Sequence, residues 1–183
     1  TVAAAQIICA LQTFVSREVD PLKSAVLSTG IMKAGEAFNV IPSEVELTGT
    51  ARSFEPQISM DCEAFIRRMA QNMGAAFRCT AELDYRRNLP PTVNDPAMAK
   101  LGAEIGTLIF GADGVQEVPP TMGGEDFSFY LEKVPGAFFF IGSGDKDKGT
   151  HWPHHHCRFT VDESQLRKGA AFEAACAWAF LNR

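Results

Sequence analysis

Three features are missing from the sequence: a long apolar run, a cluster of basic residues and a Cys-x-x-Cys pair. No stretch approaches the roughly 20 apolar residues that span a bilayer, so we expect neither a transmembrane helix nor a membrane partner. The 17 lysines and arginines are dispersed along a chain of formal net charge −5, which argues against a nucleic-acid partner. The composition is typical of an ordinary globular protein.

The five cysteines are odd in number, and four of them fall on the apolar faces of predicted elements: Cys9, Cys62, Cys79 and Cys176. This pattern predicts reduced thiols in the core and a cytoplasmic protein. A chain of 183 residues that is 46% hydrophobic buries enough surface to fold without a disulfide or a structural metal.

The chain begins with Thr1 and enters a predicted apolar helix at once. A natural N-terminus seldom starts inside an uncapped apolar helix. We therefore expect the chain to be the C-terminal part of a longer protein. The alternative is a complete protein from which a tag has been removed.

The first half of the chain predicts an α-β-β-α-β unit that ends near residue 87, because apolar residues recur first at helical and then at alternating spacing. Its elements are a helix at 2–15, strands at 25–32 and 44–52, a helix at 60–73 and a strand at 77–85. The last of these has the clearest two-residue alternation in the sequence, with apolar side chains at every second position from Phe77 to Tyr85.

A second unit is predicted from residue 88 to residue 183. Pro90 and Pro91 stiffen the connection, and Asp95 followed by Pro96 has the pattern of a capped helix start. The predicted elements are a helix from Asp95, a strand at 115–118, a short helix at 127–133, a buried strand at 137–141, a polar loop at 142–158 and a helix from Asp162. In that last helix we expect these residues to face inward: Leu166, Ala170, Ala174, Trp178 and Leu181.

All four histidines lie within six residues, at 151–156. Neutral imidazole is a common ligand for zinc, nickel, cobalt and manganese, so the segment indicates a metal site. A solvated His-rich loop is the alternative, and the local sequence leaves both open. Because a catalytic zinc needs about three protein ligands, one short loop supplies only part of such a site.

Two further segments could carry chemistry. In residues 122–127, two glycines precede Glu125 and Asp126, and the spacing favours helix capping by Asp126 over catalysis. Asn39 is suited to a turn before a proline, and Arg52 lies on the polar face of a predicted strand. An exposed arginine is usually solvated, yet its planar fork also binds a carboxylate at two points, and the pattern alone does not decide.

Together, the segments 39–42, 49–54, 122–127 and 151–159 resemble, in order and spacing, the M20 metallopeptidase family. The branch they are most similar to comprises hippurate hydrolases, N-acyl-amino-acid amidohydrolases and indoleacetyl-amino-acid hydrolases. The resemblance implies a mixed α+β and α/β architecture. Residues 1–87 would be a ferredoxin-like lid, or dimerisation domain, without its first strand, and residues 88–183 the C-terminal part of an α/β zinc-peptidase-like catalytic domain.

The resemblance also implies roles for individual residues. The family pattern His-x-Pro-x-Phe matches residues 155–159 with His155 as metal ligand, although Cys157 stands in place of the proline, which keeps His154 as the alternative. The substrate-binding residues would be Asn39, Arg52, Gly124 and Glu125. No residue of this chain is expected to be the catalytic base, since the family's glutamate base and other metal ligands match positions upstream of Thr1.

The function implied by the resemblance is hydrolysis of the amide bond of a small N-acyl amino acid. Two divalent ions (zinc, manganese, nickel or cobalt) would act in a homodimer that forms through the lid. The chain alone is then expected to be inactive. The competing hypothesis is a non-catalytic dimerisation or binding module, because an α-β-β-α-β scaffold hosts many unrelated functions.

Overall fold

The computed structural model describes residues 1–183, which divide into two compact units. The first comprises Thr1–Pro91 together with Thr121–Gly124, and the second comprises Thr92–Pro120 together with Glu125–Arg183. The division expected from the sequence assigned residues 121–124 to the second unit, whereas the structure groups them with the first. No helix combines the length and the apolarity needed to cross a bilayer.

The first unit packs two helices against a two-stranded antiparallel sheet. Its elements are α1 (Val2–Leu11), a π-helical turn (Phe14–Glu18), β1 (Ala25–Ala34), β2 (Val45–Ser53) and α2 (Pro56–Ala76). One apolar cluster joins them: Ile7, Leu11, Phe14, Ile58, Cys62 and Phe65, with Leu27, Leu47 and Ala51 of the sheet against it. Phe65 is only 4% exposed, and its ring centroid lies 5.2 Å from that of Phe14. The apolar faces of α1 and α2 therefore meet in one core.

The register of β1 and β2 explains why the segment 49–54 begins with a glycine, Gly49. Ser28 pairs with Thr50 and Thr29 with Gly49, and a bulge follows between Thr29 and Ile31. A Cβ atom on Gly49 would overlap the carbonyl oxygen of Ser28. Only glycine allows the two backbones to approach this closely, so the motif that begins at Gly49 records a packing requirement beside any role in binding.

Helix α2 ends in a turn that the sequence did not reveal. Arg78 adopts a left-handed conformation with φ of 59°, and the backbone N–H of Cys79 donates to the carbonyl of Gly74 at 2.8 Å. The N–H of Arg78 also donates to the carbonyl of Ala75. This pair of bonds is the Schellman arrangement that closes helices. The turn that closes α2 therefore extends to Cys79, past residue 77, where we predicted the next strand to begin.

The predicted strand at 77–85 is wrong as a strand. The alternation is present, since Ala81, Leu83 and Tyr85 are half-buried while Glu82 and Asp84 are exposed. The backbone of residues 80–91, however, makes no hydrogen bond to another backbone group, and the only paired strands are β1 and β2. A strand requires a neighbour, and this extended segment has none in the chain.

In the second unit, α3 (Pro96–Phe110) packs beside α5 (Leu166–Leu181), and α4 (Ser128–Leu131) is a single turn. The predicted cap is confirmed: Asp95 accepts hydrogen bonds from the backbone N–H groups of Ala97 and Met98, both at 3.0 Å. The Phe172 ring is buried against those of Phe110 and Phe139, with centroids 6.1 and 5.2 Å away. Gly102 makes room for this cluster, since a Cβ atom there would overlap the Phe139 ring.

Three expectations for the second unit are wrong. Residues 115–118 and 137–141 form no paired strand, and the latter segment is not covered on both faces, because Phe140 is 64% exposed. Only one backbone position is matched there: the Asn94 side-chain amide accepts from the N–H of Phe138 and donates to its carbonyl. In α5 the buried residue is Phe172, whereas all five predicted inward residues are exposed: Leu166, Ala170, Ala174, Trp178 and Leu181. This helix is apolar on more than one side, so its pattern did not identify the packed face.

The cysteines only partly follow the sequence-based expectation. Cys62 lies in the core, and burial raises the pKa of its thiol to about 11, which keeps it protonated. Cys176 is half-buried, but Cys9 and Cys79 are exposed, so the expectation of core thiols is wrong for these two. Cys9 lies on the side of α1 away from Ile7 and Leu11, and Cys79 belongs to the turn that closes α2.

Candidate functional site

Arg52, near the end of β2, is held by a backbone group of the glycine motif. Its Nη1 donates to the carbonyl oxygen of Met122 at 2.6 Å, a contact between residues 70 positions apart. The side chain is exposed and has no carboxylate partner. A guanidinium has five N–H donors in a fixed fork, so one bond to a carbonyl orients the group and leaves other donors for a ligand.

The glycine motif packs closely around this arginine. A Cβ atom on Gly124 would lie 3.1 Å from Leu89 Cδ1, which is tight, and 3.6 Å from Arg52 Nη1, which is ordinary van der Waals contact. The structure thus brings together two of the predicted substrate residues, Arg52 and Gly124. Glu125 follows next in the chain, is half-buried, and forms no ion pair or side-chain hydrogen bond.

The expected helix cap at Asp126 is wrong. The residue at the N-cap position of α4 is Phe127, which offers no side-chain cap. The turn is closed instead by the buried hydroxyl of Ser128, which donates to the carbonyl of Glu125 at 2.7 Å. The carboxylate of Asp126 is therefore not used in the helix start.

Asn39 lies at the opposite end of the sheet from Arg52. It belongs to the connection between β1 and β2, beyond the last pair, Ala34 with Val45, whereas Arg52 pairs with Val26. Val45 and Arg52 are seven residue steps apart along β2, which corresponds to roughly 23 Å. The sheet itself therefore does not bring the connection that carries Asn39 to Arg52. Asn39 itself is exposed and makes no side-chain hydrogen bond.

The His-rich loop is built on a frame of buried polar contacts. Thr150 is only 8% exposed; its hydroxyl donates to the carbonyl of Ser143 at 2.8 Å and accepts from the N–H of Asp145 at 2.9 Å. Lys148 forms a 2.6 Å ion pair with Asp162, and this hydrogen bond lowers the pKa of the Asp162 carboxyl far below its usual range. These contacts fix the start and the end of the loop that carries the histidines.

Two consecutive turns shape the histidine segment itself. The N–H of His156 donates to the carbonyl of Pro153 at 3.1 Å, and the N–H of Phe159 donates to the carbonyl of His156 at 2.9 Å. In the first turn, His155 occupies the third position with φ of 67°. A positive φ at that position is the mark of a type II turn, and histidine is among the few non-glycine residues that tolerate it.

The four histidines differ in what their rings contact. His156 Nδ1 accepts a hydrogen bond from the backbone N–H of Arg158 at 3.0 Å, which assigns the ring proton of the neutral form to Nε2. The ring of His154 packs edge-on against Phe159 at 5.0 Å. His155 is exposed, and neither of its ring nitrogens is hydrogen-bonded within the protein.

The histidine segment has donors that suit a divalent metal ion, but other ligands would have to complete the site. His155 offers free imidazole nitrogens, which suit zinc, manganese, nickel or cobalt. No group of three or more His, Cys, Asp and Glu side chains in the structure is arranged to hold an ion. The side chains of this chain therefore do not form a complete metal site by themselves.

Cys157 occupies the second position of the turn from His156 to Phe159, where the family pattern has proline. That position has φ near −60° in both common turn types and favours proline, and the backbone N–H of Cys157 has no hydrogen-bond partner. We expect Cys157→Pro to stabilise the protein by about 0.4–1 kcal/mol, because proline restricts the unfolded chain without breaking a native bond. Urea unfolding measures the change.

The matched control is Cys157→Ser, which changes the side chain but leaves the backbone of the unfolded chain unrestricted. We expect its stability to stay within about 0.5 kcal/mol of the original protein. If Cys157→Pro lowers the stability while Cys157→Ser does not, the backbone at this position is not the turn that we describe.

Comparison with known proteins identifies the family. Residues 5–179 match the model of peptidase family M20/M25/M40. The chain belongs to this family, and the resemblance drawn from its four motifs is confirmed.

Two relatives illustrate the similarity. The chain is 36% identical over 183 residues to IAA-amino acid hydrolase ILR1-like 4 of Arabidopsis thaliana, covering 98% of this chain and 42% of that protein. It is 37% identical over 172 residues to N-acetyl-L-cysteine deacetylase of Bacillus subtilis, covering 93% of this chain and 39% of that protein.

A solved structure shows the same fold. The YXEP protein of Bacillus subtilis, described as a dinuclear metal-binding peptidase of the M20 family, matches with a TM-score of 0.75 and 32% identity. The alignment covers 99% of this chain and 45% of that one. The chain therefore spans less than half the length of the relatives it matches.

Two features of the site were not found from the sequence. The first is the carbonyl of Met122, because a backbone acceptor carries no residue-type signal. The second is Trp152, whose ring stacks on His156 with centroids 4.2 Å apart. A tryptophan beside histidines was visible in the sequence, but its contact depends on the turn that folds His156 back.

Proposed function

We propose that this chain is part of a longer protein that hydrolyses the amide bond of N-acyl amino acids with divalent metal ions. The observation that carries the proposal is the Arg52 guanidinium, which is exposed, unpaired with any carboxylate, and oriented by Met122 beside Gly124. A guanidinium oriented in this way keeps donors with which to bind a substrate carboxylate at two points, and this supports the proposal. The relatives' names, an amino-acid conjugate hydrolase and an N-acetyl-amino-acid deacetylase, denote substrates of this kind.

The two units then have separate tasks. The first, with two helices on one face of an antiparallel sheet, would be the lid or dimerisation domain of ferredoxin-like form. The extended segment at 80–91, whose backbone is unpaired, would border the strand that this chain lacks. The second unit would be the C-terminal part of the catalytic domain, with Glu125 beside the substrate pocket.

The chemistry divides between this chain and the rest of the protein. Two divalent ions would supply polarisation of the amide carbonyl and a water of lowered pKa. His155 would bind one of the ions, with His154 as the alternative, and Arg52 would hold the carboxylate of the substrate in place. The remaining ligands and a glutamate base would lie outside residues 1–183, so the chain alone is not expected to turn over substrate.

Replacing Arg52 by alanine in the longer protein tests the proposal. We expect kcat/KM for an N-acetyl amino acid to fall by roughly 10- to 100-fold, because a hydrogen bond to a charged group is worth about 1.5–3 kcal/mol. Activity on the corresponding amino-acid amide, which lacks the carboxylate, should fall much less. Arg52→Lys keeps the charge without the fork and should be intermediate.

The melting temperature should be nearly unchanged in both variants, because Arg52 is exposed and makes a single hydrogen bond. An equal loss of kcat/KM on the N-acetyl amino acid and on its amide would show that Arg52 does not bind the substrate carboxylate. A large loss of stability with unaltered kinetics would show that Arg52 is structural.

We also propose that the protein is a homodimer in which the connection carrying Asn39 serves the partner's site. The support is the strand register, which puts the connection carrying Asn39 at one end of the sheet and Arg52 near the other, and this argues against one small substrate as their common ligand within a chain. Mixing subunits tests this. We expect Asn39→Ala and Arg52→Ala homodimers to be impaired, and co-expressed mixed dimers to regain activity, because one of their two sites receives both native residues.

The mixed dimer is isolated with two different affinity tags, and its activity is compared with those of the parent homodimers. Recovery to about half of the original activity is the expected result, since one site of two is intact. Activity no higher than the average of the two variant homodimers would mean that both residues act on their own subunit's site, or that Asn39 has no role.

A further inference from the structure

Trp152 lies at the centre of a stack of rings in the His-rich loop. The His156 ring is parallel to it, with centroids 4.2 Å apart and an interplanar angle of 11°. The His151 ring lies 4.8 Å away, and the Arg158 guanidinium 5.4 Å from the centroid. Trp152 and His156 are half-buried while their neighbours are exposed. Trp152 and His156 thus form the closest ring contact of this segment.

His156 belongs to both turns of the loop. Its N–H closes the turn that begins at Pro153, and its carbonyl opens the turn that ends at Phe159. Its ring is fixed as well, on one side by Trp152 and at Nδ1 by the backbone N–H of Arg158. A residue held at its backbone and its ring fixes the geometry of both turns at once.

His155 is the residue that depends on this arrangement. Its φ of 67° lies in the left-handed region, where a non-glycine residue is about 1–2 kcal/mol less stable than in the ordinary helical one. Such a conformation persists only when neighbouring contacts determine it. The ring of His155 is exposed and makes no hydrogen bond or ring stack, so the contacts that can restrain its backbone are those of the turn and of His156.

We propose that Trp152 and His156 are positioning residues that hold the Pro153–His156 turn with the His155 imidazole directed out of the loop. The inference rests on the proposed function, in which His155 is a metal ligand. His156 is unsuited to that task in this geometry, because its Nδ1 lone pair is occupied by the Arg158 N–H and its Nε2 carries the proton. Its role is to present its neighbour.

The consequence is a loss of metal affinity when the stack is removed. Without the Trp152 ring, His156 is free to leave the turn and His155 can relax to negative φ, which redirects its side chain. Groups that orient a metal ligand typically contribute 10- to 100-fold in affinity. Once an ion is bound, kcat should be unaffected, because the proposal gives neither residue a contact with the substrate.

The test uses the longer protein and titrates the metal-free form with Mn²⁺ by calorimetry. We expect Trp152→Ala and His156→Ala each to weaken binding of one ion by about 10-fold or more. Trp152→Phe, which keeps an aromatic face for stacking, should recover most of the affinity. The value of kcat at saturating Mn²⁺ should stay within about threefold of the original for all three variants. Trp178→Ala, at an exposed tryptophan of α5, is the matched control and should change neither quantity.

The outcomes separate this inference from the proposed function. If His155→Ala leaves Mn²⁺ affinity unchanged, the assignment of the metal ligand has failed. If His155→Ala weakens binding but Trp152→Ala and His156→Ala do not, the ligand stands and the positioning role is overturned. If Trp152→Ala does not fold, Trp152→Phe and His156→Phe decide: the latter keeps the ring without the Nδ1 acceptor, and unchanged affinity in both His156 variants would refute the role.

Discussion

Replacing His155 by alanine in the longer protein is expected to abolish tight binding of one divalent ion and to reduce hydrolysis of an N-acyl amino acid by at least about 100-fold. The magnitude exceeds the 10- to 100-fold typical of residues that merely orient a ligand, because the proposed ligand itself is removed. His155 is exposed with both ring nitrogens free of hydrogen bonds, so the substitution breaks no native contact. Metal content and kcat/KM measured on the same samples check the result.

Lys146→Ala is the control, since Lys146 is an exposed residue of the same loop whose side chain makes no ion pair or hydrogen bond and has no proposed ligand role. We expect it to retain metal and activity. His154→Ala distinguishes the alternative: if it loses the ion and His155→Ala does not, the ligand is His154, and Cys157 has altered the match to the family pattern. Loss in neither variant would exclude the loop from the metal site.

Replacing Phe65 by alanine is expected to destabilise the first unit by about 3–5 kcal/mol. Phe65 is 4% exposed and lies between Phe14 and the buried residues of α2, so the truncation leaves a cavity in the only apolar cluster that joins α1, α2 and the sheet. Hydrogen exchange of individual amides measures the effect within one unit. We expect the protected amides of α2 to exchange on the order of 100-fold faster or more, since about 1.4 kcal/mol corresponds to tenfold.

Phe38→Ala provides the control, because it makes the same chemical change in the same unit at a fully exposed side chain. Its effect should stay within about 0.5 kcal/mol. The amides of α5 should exchange at unchanged rates in both variants if the two units open independently. Equal effects of the two substitutions would mean that the cluster around Phe65 is not the core of the unit.

The helices and the hairpin could be predicted because the signals that specify them are local. Helix α3 begins where Asp95 and Pro96 indicate, and the alternation in residues 44–52 corresponds to β2. The stripe through Cys62 and Phe65 faces the core as its spacing indicates. Each of these elements makes its backbone hydrogen bonds within itself or with its sequence neighbour.

The other predicted strands failed for one physical reason. An alternating or apolar segment becomes a strand only when a second strand accepts its hydrogen bonds, and the pattern of one segment contains no information about that neighbour. Residues 77–85 and 137–141 have suitable sequences, but the chain offers them no pairing strand. The burial alternation at Ala81, Leu83 and Tyr85 shows that the side-chain pattern was correct even so.

The candidate site shows a similar limit. The histidine cluster, Arg52 and the glycine motif were visible as residue types and spacings, because the chemistry of metals and carboxylates restricts which side chains serve. The carbonyl of Met122 and the left-handed backbone of His155 were not, since both depend on the path of the chain rather than on composition. Cys157 remains a departure from the family pattern, and only the structure shows that it stands at a turn position that favours proline.

The length of the β1–β2 ribbon matters if Asn39 serves the active site of the partner subunit. The two ends of the ribbon would then contribute to two different active sites, and its length would set the distance between them. Inserting two residues into each strand preserves the alternation of inward and outward side chains, so the unit would still fold. The tip that carries Asn39 would nevertheless move by about 7 Å and miss the partner's pocket. Under this proposal we expect the number of residues in the ribbon to be more restricted than the identity of most of its exposed side chains.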